Sequence, residues 1–521
     1  MMRRSAVLIC LMGLGASALF AADCRRLKDL KLENTEITLV EVVSGNLAIP
    51  GEASATGLPA MCRVAGVLRP TSDSEIRFEV WMPQQGWNGR FLGVGNGGFA
   101  GSIGYRQFAA YLKRGFAVAG SDAGHQAEAE DASWAFGHPE KVKDFGWRAV
   151  HLTAERGKQI VAAYYGKSQD HAYFDACSDG GREALMEAQR FPADYDGILA
   201  GAPANAWSTM IGAGVGGIQA QINDPRAFIP VRKLPAIQKA ALDACDAQDG
   251  VKDGVIANPA KCQFDPNVLL CKAGDNSDCL TRPQVESLKG LYGGAKDSQG
   301  RVIFPGFAMG DETSWREWVI GVAPGAASSV QYVQNDFRYI VTGDPKWNIL
   351  TANVDESLKL SREKTAGDLD ATNPDLSRFA ARGGKLILYH GWNDQAISPW
   401  NTIDYYKQVQ QAMGGQKAES FTRLYMVPGM EHCYGGPGAF AFGQFGVGTA
   451  KGPSNGLFDS LQDWVEKGTP DEAVFATKFV PGADGAMKPI MTRPLCLYPA
   501  VAMYNGSGDS TDGANFACKK P

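Results

Sequence analysis

Apolar and polar positions along this chain change period several times, and the changes mark its elements. Between about Glu36 and Val94, runs such as ITLVEVV, RVAGVLRP and IRFEVWMP concentrate β-branched and aromatic residues, which predicts strands. RFLGVGNGGFAG follows as a further strand that runs into a glycine loop. Next, AAYLKRGFAVAGSDAGH predicts a helix and then a buried strand, while VHLTAERGKQIVAAYYG carries apolar residues at helical spacing. AYFDACSDGGREALMEAQRFP predicts strand, sharp turn and helix, and YDGILAGAPA another strand. This alternation predicts an α/β fold, a mostly parallel sheet with helices on both faces.

From about Trp207 to Asp375 the pattern breaks into long polar loops, Gly/Pro interruptions, four cysteines and several tryptophans. KLILYHGWNDQAISP and SFTRLYMVPGMEHC then restore buried strands that end in polar loops. The middle is therefore expected to be an insertion between two halves of one sheet. The division is a catalytic domain over 23–207 and 376–521 and an inserted domain over 208–375.

The first residues have a positive start at Arg3 and Arg4, an apolar run from Ala6 to about Phe20, and small residues at Ala21 and Ala22. This is the layout of a cleavable secretory signal over 1–22, too short to span a bilayer, which needs roughly 20 apolar residues. A secreted or periplasmic protein, soluble once the signal is removed, is expected. With Cys10 in the signal, ten cysteines remain, an even number that suits full pairing in an oxidising compartment. Spacing does not fix the connectivity. Pairing near neighbours would give Cys24–Cys62, Cys245–Cys262, Cys271–Cys279 and Cys496–Cys518, with Cys177–Cys433 left as a long-range bond. No CxxC pair is present, which disfavours structural zinc. A net charge of −5 without basic clusters argues against nucleic acid or an anionic membrane as partner and suits a small neutral substrate.

Reactive groups of an open α/β sheet gather where strands end at their carboxyl termini. Ser178, in Ala176-Cys177-Ser178-Asp179-Gly180-Gly181, stands between the strand AYFDA and the helix REALMEAQR. Small residues two before and two after it suit the sharp elbow that exposes a nucleophilic hydroxyl, although Ala176 replaces the first glycine of G-x-S-x-G. Asp394 follows KLILYH, and His432 follows RLYMV. The order Ser…Asp…His is that of α/β-hydrolases, with His432 as the base and Asp394 as the acid that orients it. Gly95-Asn96-Gly97-Gly98 after RFLGV, together with the N–H of Asp179, offers donors for an oxyanion. His125 is a weaker candidate that would line the cleft, His151 begins a helix, His138 and His171 sit near turns, and His390, at the end of a buried strand, is expected to be structural.

The run Asp246-Ala247-Gln248-Asp249-Gly250-Val251-Lys252-Asp253-Gly254-Val255 brings three carboxylates onto one short loop between Cys245 and Cys262. With the carbonyls of Val251 and Val255 it would hold a hard cation, calcium in an exported protein. Its spacing is not that of an EF-hand, and two consecutive Asp-Gly turns are the alternative.

CSDGGR, GWND, PGMEHC, GNGGFAG and CDAQDGVKDGVI together make the chain resemble the tannase and feruloyl esterase family, which also includes mono(2-hydroxyethyl) terephthalate hydrolase. The resemblance extends over nearly the whole chain after the signal. It implies an α/β-hydrolase core with a large inserted lid, and a Cys177–Cys433 bond beside the triad Ser178, Asp394 and His432. It also implies Gly98 and Asp179 as oxyanion donors, with Gly97 a close competitor, and structural calcium held by Asp246, Asp249, Val251, Asp253 and Val255. No organic cofactor is expected. The activity implied is a serine carboxylic ester hydrolase for small aromatic acids, feruloyl esters first, galloyl esters second and terephthalate monoesters third. Trp315, Trp318, Phe337, Arg338, Tyr339 and Trp347 are candidates to contact the acyl group. Two rivals differ in class: a catalytically silent phenolic- or carbohydrate-binding protein, and a thiol hydrolase using Cys177.

Overall fold

The computed structural model describes residues 23–49, 54–99, 101–449, 456–470, 474–482 and 485–520, and the expected signal over 1–22 lies outside them. Seven strands come first: β1 (Thr35–Leu47), β2 (Ala55–Leu68), β3 (Ile76–Pro83), β4 (Arg90–Val94), β5 (Ala117–Ser121), β6 (His171–Cys177) and β7 (Gly197–Gly201). After a small hairpin, β8 (Ala295–Lys296) and β9 (Val302–Phe304), come β10 (Lys385–Gly391) and β11 (Thr422–Val427). One nine-stranded sheet has the order β1-β2-β3-β5-β4-β6-β7-β10-β11. Pairing from β1 through β3 to β5 is antiparallel, and from β5 to β11 it is parallel.

Parallel strands are covered on both faces, so they read as unbroken apolar or small runs. AVAGS of β5 and GILAG of β7 are buried at every position. Successive side chains point to opposite faces, which divides the core in two. Phe91, Phe174, Ile198 and Leu388 enter one layer, and Leu92, Tyr173, Leu199 and Tyr389 enter the other.

Helices Tyr105–Leu112, Ala149–Tyr165 and Asp179–Arg190 connect the strands that surround β6. The second ends at Gly166, which has φ of +72° and so takes the left-handed cap that a side chain resists.

The chain between β7 and β10 adds no strand to the large sheet. It folds around two apolar centres, one with Ile237, Leu288 and Trp315, the other with Trp207, Ile211 and Phe337. The second centre also contains Phe99, Ala123, Phe145 and Ile397, from segments beyond the sheet. That shared packing seats the insertion over the carboxyl ends of the strands.

Five disulfides pair all ten described cysteines: Cys24–Cys62, Cys177–Cys433, Cys245–Cys262, Cys271–Cys279 and Cys496–Cys518. No described helix is long and apolar enough to cross a membrane.

Candidate active site

β6 ends at Cys177, and the next helix begins at Asp179, so the chain must reverse within one residue. Ser178 makes that turn at φ +67°. Such a conformation costs a non-glycine residue on the order of 1–3 kcal/mol and persists only where its surroundings enforce it. Here the Ser178 N–H donates to Gly201 O at 3.0 Å, and its carbonyl accepts from Arg182 at 3.1 Å and Ala204 at 3.1 Å. The packing is close: a Cβ on Gly181 would stand 2.3 Å from Gly201 O, and one on Gly180 would stand 2.7 Å from the Ala176 Cβ. Ala176 is accommodated because the residue facing it has no side chain.

His432 Nε2 lies 2.9 Å from Ser178 Oγ, and His432 Nδ1 lies 2.7 Å from Asp394 Oδ2. The other oxygen of Asp394 accepts the N–H groups of Ala396 and Ile397, both at 2.8 Å. Burial opposes ionisation of Asp394, but the facing imidazoles of His432 and His390 outweigh it and hold the carboxyl well below the usual range. The geometry is that of a charge-oriented imidazole poised to take a hydroxyl proton. Cys433 has φ of +64°, so the Cys177–Cys433 bond, with a Cα separation of 6.0 Å, ties together two strained turns. Cys177 is thereby consumed, and no thiol remains beside Ser178 for the cysteine-based alternative.

Gly98 and Asp179 stand beside Ser178, and among the described residues neither backbone N–H donates to another group. Gly98 takes φ +61°, where glycine is at ease. The loop is held by Asn96, whose side chain donates to Ser102 O at 2.7 Å and Ser121 O at 2.9 Å, and whose N–H donates to Glu183 Oε2 at 3.0 Å. Burial and the neighbouring Asp179 charge push the Glu183 carboxyl up to about 8. Asp179 itself is clamped by Arg182 at 2.6 Å, in a fully buried pair.

Two cavities meet at Ser178 and His432. The larger, about 670 Å³, runs under the insertion past Trp207, Met210, Ile211, Phe307 and Val333. The smaller, about 380 Å³, passes Asn96, Gly97, Gln107 and Phe445. Gly98, Trp318 and Tyr332 border both.

Of the aromatic and basic candidates from the insertion, Trp318 alone lines these cavities. Trp315 packs against Tyr292 and Phe307 inside the insertion, and Phe337 stacks on Trp347 with ring centres 4.3 Å apart. Arg338 donates to Trp347 O at 3.1 Å, and Tyr339 meets Phe136 edge-on. His125 is buried, stacked on Trp134, with Nε2 2.6 Å from Phe99 O, so it braces the glycine loop that precedes Phe99 rather than lining the cleft. Sequence reasoning missed Tyr332 and Trp207, which lie on helices Ser328–Asn335 and Trp207–Ile222, and Phe307, which lies in a loop, because which aromatic of an insertion faces a distant strand end has no local signal. His390 is structural in the sense expected, but its contact with Asp394 had a sequence cue, their four-residue spacing across a strand end.

In the acidic loop, Asp246 accepts N–H groups from Asp253, Gly254 and Val255 at 3.1 to 3.3 Å. Asp249 accepts from Val251 at 3.0 Å, and Arg493 donates to Asp253 at 2.5 Å. Burial, then the charges of Asp253 and Asp246, push Asp249 up to about 6. Arg493 pairs with only one of the three carboxylates of this disulfide-closed loop, a donor set whose hard oxygens and remaining negative charge fit calcium. The described group of three whose ligand atoms all lie within 4.8 Å is a different one, His151, Glu187 and Asp194. There Lys158, 3.8 Å from Asp194, supplies positive charge.

The family profile "Tannase and feruloyl esterase" matches residues 62–519. An uncharacterized esterase of Xanthomonas campestris pv. campestris is 40% identical over 96% of this chain and 91% of its own length. Mono(2-hydroxyethyl) terephthalate hydrolase of Piscinibacter sakaiensis is 35% identical over 96% of this chain and 92% of its own. The crystal structure of feruloyl esterase B from Aspergillus oryzae superposes with a TM-score of 0.88 at 29% identity, covering 96% of this chain and 100% of that one.

Proposed function

This chain belongs to the tannase and feruloyl esterase family and is a carboxylic ester hydrolase, and from that premise we propose that it is an exported enzyme releasing small aromatic acids, hydroxycinnamic acids such as ferulic acid first, through an acyl-enzyme on Ser178. The observation that carries this reading is the Ser178–His432 hydrogen bond of 2.9 Å at the junction of two cavities. One cavity receives the acyl group and the other the alcohol.

In the first half-reaction His432 takes the Ser178 proton as the hydroxyl oxygen attacks the ester carbonyl. The carbonyl electrons move onto oxygen, to which the Gly98 and Asp179 N–H groups donate hydrogen bonds that stabilise the charge. His432 then gives its proton to the departing alcohol. In the second half His432 takes a proton from a water that attacks the acyl carbon, the bond from Ser178 Oγ to that carbon breaks, and His432 returns the proton to Ser178 as the acid leaves. Asp394 stays ionised throughout, fixing the imidazole tautomer and stabilising its charged form.

Aromatic and aliphatic walls in the larger cavity suit a ring with few polar substituents. Among the described residues its lining carries Lys296 as the sole lysine or arginine, against Asp224 and Glu286, the charge of Asp179 being paired with Arg182. This balance disfavours an acyl group with a free carboxylate, so a terephthalate monoester ranks below feruloyl and galloyl esters. The test is a purified-enzyme panel of methyl ferulate, methyl gallate and mono(2-hydroxyethyl) terephthalate. Highest kcat/KM on the ferulate is expected. Equal, very slow turnover on all three would reject the aromatic-acid reading.

Export rests on the charged and apolar start of the sequence and on five disulfides, which persist in oxidising compartments. Structural calcium would be held by the carboxylates of Asp246, Asp249 and Asp253 and the carbonyls of Val251 and Val255. Bound there, it would neutralise the loop and stabilise the insertion without taking part in the chemistry.

A further inference from the structure

We propose that the hydroxyl of Tyr332 is a third donor to the oxyanion, supplied by the inserted segment. The inference rests on the Ser178–His432–Asp394 reading above and adds to it a residue from outside the sheet. Helix Ser328–Asn335, which carries Tyr332, lies between β7 and β10.

Three observations converge. First, Tyr332 borders both cavities together with Gly98, Trp318, Ser178 and His432, so it stands at the constriction where the ester carbon must sit. Second, its oxygen abuts the proposed oxyanion loop: a Cβ built on Gly98 would lie 2.4 Å from Tyr332 Oη. Any side chain at that position would displace the hydroxyl. Third, the ring is held from two sides. Phe99 lies at 5.3 Å between ring centres, and Trp318 lies at 5.3 Å with planes only 13° apart. A clamped ring gives its hydroxyl a fixed aim, which is what preorganised stabilisation requires.

The hydroxyl itself has no hydrogen-bond partner among the described residues. A phenylalanine would satisfy the packing equally well, and the half-buried oxygen is left open to a bound substrate. Burial, followed by the nearby carboxylates of Glu130 and Asp179, opposes loss of its proton, which keeps it a donor. When Ser178 Oγ bonds to the carbonyl carbon and the carbonyl electrons move to oxygen, Tyr332 donates a hydrogen bond to that oxygen. Its proton is not transferred. The charge is then met from two sides, by the Gly98 and Asp179 backbone and by the insertion.

Tyr332→Phe tests this, because it keeps the stack and removes only the oxygen. On the best ester of the panel, kcat is expected to fall roughly 10²-fold, the loss typical of one oxyanion donor, with KM changed by no more than about twofold. The melting temperature should match that of the unaltered protein. Unchanged kcat, or a rise in KM alone, would overturn the proposal, the latter making the hydroxyl a ground-state binding group. Ser178→Ala run in parallel separates the two readings: if it retains turnover, the triad fails, whereas lost turnover beside a fully active Tyr332→Phe rejects Tyr332 alone.

Discussion

His390 Nε2 stands 3.1 Å from Asp394 Oδ2, the same oxygen that His432 engages at 2.7 Å. The carboxylate is therefore shared between two imidazoles, one facing the nucleophile and one fully buried behind it. His390 is fixed in turn by Thr402 at 2.8 Å and the Ile397 carbonyl at 3.1 Å. It acts as a positioning residue for the acid.

Replacing His390 by Gln should leave Asp394 less firmly oriented and less strongly held in its charged form. The Nε2 hydrogen bond of His390 goes to the Ile397 carbonyl, so what Asp394 loses is a close contact and not a full hydrogen bond, worth about 1 kcal/mol, and kcat should fall about 5-fold. Steady-state kinetics on a single ester measures this. Undiminished kcat in a folded variant would reduce His390 to packing.

Ser178→Ala should lower kcat by ~10⁴ or more while leaving ligand affinity within a few-fold, because the cavities remain intact. Turnover and the binding of a product acid, followed by calorimetry, check the two halves of the statement.

Selective reduction of Cys177–Cys433 should cut activity before the secondary structure is lost, since the bond joins the turns that present Ser178 and His432. Loss of a native bond of this kind commonly costs ~2–5 kcal/mol. Activity and circular dichroism followed together during reduction, with mass spectrometry to identify the opened bond, give the test. Full activity with this bond shown open would refute the claim.

Asp336 is wholly buried, accepts from Trp207 Nε1 at 2.8 Å through one oxygen, and has no partner among the described residues for the other. Burial pushes its carboxyl up to about 7. A raised value means that the folded state binds the proton more tightly than the unfolded chain, whose aspartates titrate near ~3.9. Its contribution to stability is thus complete below about pH 4 and is lost as pH rises through about 7. Asp336→Asn, which retains an acceptor for Trp207, should remove this component. Melting temperatures of both proteins from pH 4 to 8 would show it as a shallower decline in the variant.

Chelation should lower the melting temperature more than it lowers kcat, and added calcium should restore it, because the loop of Asp246, Asp249 and Asp253 belongs to the insertion and not to the triad. Asp249→Asn should blunt the response. An unaltered melting temperature on chelation and on calcium addition would favour plain Asp-Gly turns.

Much of the site was legible in one dimension because its signals are local. Ser178 was marked by the small residues that a one-residue reversal demands, and Asp394 and His432 by the apolar runs that end just before them. The order of the nine strands was not legible. β5 lies between β3 and β4, an exchange that depends on how helix Tyr105–Leu112 carries the chain over its neighbour. The aromatic candidates show the same limit. Trp315 and Trp318 are three residues apart, yet one is buried inside the insertion and the other borders the nucleophile.

Chain order, elbow chemistry, the glycine loop and the supply of paired cysteines were properties of the sequence by itself, since each depends on short-range sterics or on residue type. Which side chains close over the ester, and that His390 shares the acid with His432, were decided only when the insertion and the sheet met. Those contacts join residues distant along the chain, and their geometry comes from the summed packing of both layers, which no local pattern encodes.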